Sequence, residues 1–234
     1  MIFKKTKRNI LLIVQRDNFK RDDRFIKDIT REFEALGYQV RWHNPANFKV
    51  RAMIDPQGKF NHLPLWLRVA VKGSILIRSP YLWPYVFHRK RLNNPSIPDR
   101  CKRLKNYINS FGSNANLIVL SRSAGARVAS IIADEVGISK LICIGYPFKH
   151  PDHPAEPERY EHLADVKTPI LILQGDNDIY GGKEITSLYQ LGPNASVSFI
   201  EASHDFKLSP QQWQTVLHRV KTFIAENTGE QVAA

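Results

Sequence analysis

Leu117-Ile118-Val119-Leu120-Ser121-Arg122-Ser123-Ala124-Gly125-Ala126-Arg127-Val128-Ala129-Ser130-Ile131-Ile132-Ala133 is the stretch that decides how this chain folds. Its first four residues are apolar and mostly β-branched or Leu, the pattern of a strand buried on both faces. Beyond Arg127, Val128, Ile131 and Ile132 recur at helical spacing, so a helix follows with almost no loop. Between strand and helix, Ser121, Ser123 and Gly125 form a small-x-Ser-x-small pattern. A strand that turns straight into a helix strains the residue at the corner. The side chains two before and two after it must be small to avoid collision. Such a corner pushes the Ser123 hydroxyl outward, with the Ala124 N–H and a helix N-terminus beside it. The same pentapeptide also reads as a plain helix N-cap followed by small packing residues. The rest of the chain has to separate the two readings.

A chain of 234 residues, 43% hydrophobic and 24% charged, has the composition of a globular protein and suffices for one α/β domain with a sizeable core. Two cysteines without paired spacing, Cys101 and Cys143, supply neither a disulfide framework nor a metal knuckle. They suit a reducing compartment, and a cytoplasmic location is the expectation. The basic start (Lys4, Lys5, Lys7, Arg8) precedes an apolar run, Ile10 to Val14, that is too short for a leader and reads as a first strand. The net charge of +12 is uneven: residues 1–105 hold 24 Lys/Arg against 8 Asp/Glu, and residues 106–234 hold 10 against 14. A basic face for an anionic partner fits this asymmetry, as does a simple solubilising surface.

Strands are predicted at 9–14, 38–42, 117–120, 141–144, 169–173 and 196–200, alternating with helices at 22–36, 99–111, from 124 toward Gly137, at 183–190 and at 211–225. That alternation predicts a mostly parallel, doubly wound sheet with helices on both faces, as one domain over 1–234. Residues 48–98 break the pattern with repeated prolines and aromatics and read as an insertion placed to form a lid. Within it, Ala70 to Ile77 fits a strand or part of a helix equally well. Arg68, Lys72 and Arg78 interrupt any run long enough to cross a membrane.

In a parallel sheet all strands end on one rim, where ligands bind. A serine hydroxyl is a weak nucleophile that needs a base, and the base needs an orienting group. The loop after Leu173 carries Asp176 and Asp178, and the loop after Ile200 carries His204. Serine, acid and histidine in that order, each just past a strand end, are what acyl transfer at a strand–helix corner requires. His43, ending the second strand, is a candidate substrate contact, as are Arg122 and Tyr146. The histidines form no metal-ligand set, phosphate-binding glycine loops are absent, and no cofactor is expected.

From about Asn116 to Phe206 the chain resembles an α/β-hydrolase, and specifically the small dienelactone-hydrolase-like members. The resemblance rests on Ser121-Arg122-Ser123-Ala124-Gly125-Ala126-Arg127, Ile144-Gly145-Tyr146-Pro147-Phe148, His162-Leu163, Thr168-Pro169-Ile170 and Gln174-Gly175-x-x-Asp178. It implies that Ser123 attacks a carbonyl, His204 carries the proton and Asp178 orients the imidazole, with Asp176 as second choice. The Ala124 N–H then supplies half of an oxyanion hole. The family follows its first strand with His-Gly, whereas this chain has Gln15-Arg16-Asp17-Asn18-Phe19. The N–H of Asp17 or Asn18, or a side chain such as Arg16, is therefore the candidate for the second donor.

The expected activity is hydrolysis of an ester, thioester or similar acyl bond. The alternative is a weakly active or non-catalytic hydrolase-like binding protein with an incomplete oxyanion hole. Residues 68–105 hold ten Lys/Arg against Asp99, interleaved with Tyr81, Trp83, Tyr85 and Phe87. That mixture suits an anionic or amphipathic small-molecule substrate and an anionic membrane surface, with nucleic acid the less expected partner.

Overall fold

The computed structural model describes residues 7–14, 23–43, 63–78 and 96–226. The chain divides into two compact units, Met1–His43 with Leu104–Ala234, and Asn44–Arg103. The expected insertion at 48–98 falls mostly outside the described residues.

The larger unit is built on six strands: β1 (Arg8–Val14), β2 (Gln39–His43), β3 (Ala115–Arg122), β4 (Lys140–Ile144), β5 (Ile170–Gly175) and β6 (Ala195–Ile200). They form one sheet in the order β2-β1-β3-β4-β5-β6, every pair parallel. The chain steps outward from β1 to β2 and then returns past β1 to β3. The direction of winding thus reverses between β1 and β3, which opens a crevice at their carboxyl ends.

The helices are α1 (Asp23–Ala35), α2 (Leu65–Ile77), α3 (Ile97–Asn109), α4 (Ala124–Ile132), α5 (Ile185–Leu188) and α6 (Pro210–Ala225). In parallel register Ile13, Leu120, Ile142 and Leu171 form one row across four strands. This row lies in a core with Ile29 and Phe33 of α1 and Trp213, Val216, Leu217, Val220 and Ile224 of α6. The adjacent row, Leu12, Val119, Leu141 and Ile170, is also buried, and α4 packs against β1, β3 and β4. Burial on both faces explains why the central strands read as unbroken apolar runs. At the start of α6, Ser209 and Gln212 form a reciprocal capping box, and Pro210 occupies the first turn.

Three segments differ from the sequence expectation. Ala70 to Ile77 belongs to helix α2, which starts earlier, at Leu65. The helix after the central strand stops at Ile132, and a turn carries the chain to Gly137 at φ 66°. The helix expected at 183–190 shrinks to Ile185–Leu188, because it follows a tight glycine pair. A Cβ on Gly182 would stand 2.7 Å from the Asp176 carbonyl oxygen.

Behind α4 a polar cluster supports the central helix. The Tyr146 hydroxyl donates to the Arg159 carbonyl at 2.6 Å, and the Ser130 hydroxyl donates to the Arg127 carbonyl at 3.0 Å. His162 Nε2 lies 2.8 Å from Ser130 Oγ, with the donor set by the imidazole tautomer. Buried Ser130 and part-buried His162 thus join the same cluster as the Tyr146 phenol. Burial, reinforced by the Arg127 charge, pushes the His162 imidazole down from 6.5 to about 4. The unfolded chain then binds the extra proton between these values, so stability is full above 6.5 and falls as the pH drops toward 4. Urea unfolding of His162→Gln should show a shallower loss over this window than wild type. Parallel acid limbs would remove His162 as their source.

Candidate active site

The carboxyl ends of β3, β4, β5 and β6 assemble the site. Arg122 pairs with Ile144, Ile144 with Leu173 and Leu173 with Ser198, and β5 and β6 run two residues further, to Gly175 opposite Ile200. Ser123 follows β3 directly and takes φ 52°, ψ −127°, a region that side-chain-bearing residues rarely adopt. Its N–H donates to the Ile144 carbonyl at 3.0 Å, and its carbonyl accepts from the Ala126 N–H at 2.8 Å. One residue of backbone thus completes the sheet and begins the helix. The small residue two positions earlier also bonds to the neighbouring strand, where the Ser121 hydroxyl donates to the Ile142 carbonyl at 3.0 Å.

Ser123 Oγ lies 2.9 Å from His204 Nε2, and His204 Nδ1 lies 2.8 Å from Asp178 Oδ2. The Asp178 side chain is wholly buried, whereas 11% of the His204 side chain reaches solvent. An ionised carboxylate at such a depth needs donors. Asp178 has three: His204, the Tyr180 N–H at 2.8 Å and the Gln174 amide at 3.1 Å. The Tyr180 ring also packs on the imidazole, with centroids 4.5 Å apart. Asp176 is engaged elsewhere. Its carboxylate accepts from the Ala202 N–H at 3.1 Å and joins the acid loop to the histidine loop.

Gly145, just past β4, lets these groups converge. It has φ +60°, and a Cβ there would meet a Phe206 ring atom at 3.3 Å, His204 Nδ1 at 3.4 Å and Asp178 Oδ2 at 3.5 Å. Phe206 itself has φ 49° and turns the chain after His204 so that its ring is buried beside the site. The Cys143 thiol, 3.5 Å from the Ser121 hydroxyl, is pushed up to about 12 by burial, which makes it a poor nucleophile.

Ala124 opens α4, so its N–H belongs to the first-turn donors that a helix leaves unpaired. Asp17 and Asn18 lie outside the described residues. Arg122, expected at the substrate, donates to the Asp205 carbonyl at 2.6 Å and so ties the corner to the histidine loop. Tyr146, also expected there, is fully buried, with its phenol on Arg159 and its ring against Phe148. Its apolar ring is worth more in the core than at a wet rim, and the substrate expectation is corrected to a structural one. His43 ends β2 on the same rim and packs against Tyr107, with centroids 5.4 Å apart. Among the described residues no group of three or more His, Cys, Asp or Glu is placed to hold a metal ion.

Gln174, which the sequence offers only as part of the Gln174-Gly175-x-x-Asp178 motif with no role of its own, has a completely buried side chain. Its Oε1 accepts from the Tyr146 N–H at 2.8 Å, while Nε2 donates to the Gly181 carbonyl at 2.6 Å and to Asp178. One amide therefore links the ends of β4 and β5 to the carboxylate. The available signal was a lone amide closing an otherwise apolar strand. Gln174→Leu leaves these partners buried without it, and should cost about 1–3 kcal/mol for each polar group orphaned. Urea denaturation measures that loss, and unchanged stability would show that the network closes without the amide.

A family model described as an alpha/beta hydrolase domain matches residues 71–229. No curated protein matches the chain. Among solved structures, the chain is similar to one reported with the metagenome-derived lipolytic enzymes LipS and LipT, at 12% identity and TM-score 0.56 over 94% of each chain. It is also similar to a dienelactone hydrolase from Anabaena variabilis, at 15% identity and TM-score 0.55, over 94% of this chain and 87% of that one. An alpha-beta serine hydrolase homologue from Coxiella burnetii matches at 13% identity and TM-score 0.53, over 91% and 83%. At these identities the structural likeness carries the fold.

Proposed function

The chain belongs to the alpha/beta hydrolase family, and on that premise we propose that it is a serine hydrolase cleaving an ester, thioester or similar acyl bond. The observation that carries this reading is the unbroken relay from Ser123 Oγ through His204 to the buried Asp178, with contacts of 2.9 and 2.8 Å. In the proposed cycle His204 Nε2 takes the Ser123 proton as the oxygen attacks the substrate carbonyl. Asp178 accepts from Nδ1–H, which fixes the tautomer that leaves Nε2 free to act as base. The Ala124 N–H, at the positive end of α4, receives the developing oxyanion. His204 then returns the proton to the leaving group. A water molecule, activated by the same imidazole, releases the acyl group and regenerates Ser123.

A fluorophosphonate probe tests the nucleophile. Folded wild-type protein should take the label at Ser123, and Ser123→Ala should take none. A folded wild-type protein that stays unlabelled would sink the catalytic reading and leave the hydrolase-like binding protein in its place. The acid is tested with an activated ester such as p-nitrophenyl acetate. Asp178→Asn should lower kcat by roughly 10³-fold or more, since the wrong imidazole tautomer is then held. Asp176→Asn should act mainly on stability, and the opposite ranking would reassign the acid.

A further inference from the structure

Helix α2, in the unit Asn44–Arg103, carries an exposed apolar surface. Helix α2 exposes Trp66 at 69%, Val69 at 62% and Ile77 at 78%, together with Ala70. At about 100° per residue these four fall on one side of the helix. Leu67 and Val71, on the other side, are partly buried. The helix contains no Asp or Glu, carries Arg68 and Lys72, and is followed by Arg78. Such an exposed apolar stripe marks an interaction surface.

Charge identifies what covers it. The unit holds twelve Lys/Arg against two Asp/Glu, so most of the net charge of the whole chain sits in this quarter of it. A second copy would bring the same charge against itself and meet repulsion. Nucleic acid would engage the basic residues, but it has no use for a stripe of Val, Ala and Ile. An anionic lipid surface satisfies both features, since acyl chains receive the aliphatic side chains, Trp sits at headgroup level, and Lys/Arg meet the phosphates. Thirteen residues of helix span only ~20 Å against the ~30 Å hydrocarbon core, so the helix lies in the surface and does not cross it. We propose that the exposed face of α2 is a docking surface for an anionic lipid bilayer. The inference stands on α2 and its charge, independent of the role given to Ser123.

Vesicle co-sedimentation of the full chain tests it. Vesicles of equal parts phosphatidylcholine and phosphatidylglycerol should pellet the protein at least about tenfold better than phosphatidylcholine alone, with the preference collapsing at high salt. The combined Trp66→Ser, Val69→Ser and Ile77→Ser variant, altered only at exposed positions, should keep its melting temperature and bind at least about tenfold more weakly. Arg78→Gln should weaken binding about fivefold. Equal pelleting by both vesicle types overturns the proposal without recourse to any variant. So does full binding by the triple variant, a wild-type dimer that the triple variant dissolves, or retention on a single-stranded oligonucleotide with none on vesicles.

Discussion

The reversal of chain direction at Ser123 constrains everything around it. Strand β3 passes into α4 through a single residue at positive φ, a conformation that costs about 1–3 kcal/mol. It persists because the neighbouring strand determines it: Ile144 receives the Ser123 N–H, and Ile142 receives the Ser121 hydroxyl. That arrangement requires β4 beside β3, parallel and in register. It also requires the residue after β4 to leave space, which Gly145 does. The geometry of the serine and the convergence of acid and histidine thus both follow from one parallel register of neighbouring strands.

Much of this was legible in the sequence. The buried strands stand out because both their faces are apolar, and the corner stands out because only small residues flank it. Ser123, Asp178 and His204 could be named because each lies a few residues past a strand end, and the sheet's polarity then brings them to one rim. What stayed hidden depends on distances between loops. Asp176 and Asp178 are two residues apart, and only the fold shows one carboxylate turned to the imidazole and the other to the Ala202 N–H. Gln174 had a place in a motif but no role, because a lone amide at a strand end has no periodicity to reveal its partners. Tyr146 looked like a rim residue from its position after β4, but its ring contributes more to the core than to the edge. The segment Ala70–Ile77 was ambiguous because its eight residues are mostly apolar, too short and too uniform a run for the period that separates helix from strand to show.

The two units also differ in electrostatic character. Outside Asn44–Arg103 the chain carries 22 Lys/Arg against 20 Asp/Glu, close to balance. Within the larger unit the buried Asp178 carboxylate is served by local dipoles, the Gln174 amide and the Tyr180 N–H. The strong positive potential belongs to a different part of the sequence, where it acts at long range and fades with salt.

His204 lies in the loop that follows β6, and among the described residues β6 is an edge strand, paired with β5. Edge elements open more readily than central ones, on a free-energy scale below that of global unfolding. Such an opening would carry His204 away from Ser123 and Asp178 while β1, β3, β4 and β5 kept their ladder. The alignment of the three side chains is therefore a property of the completed sheet, and it lasts only while an edge strand stays paired.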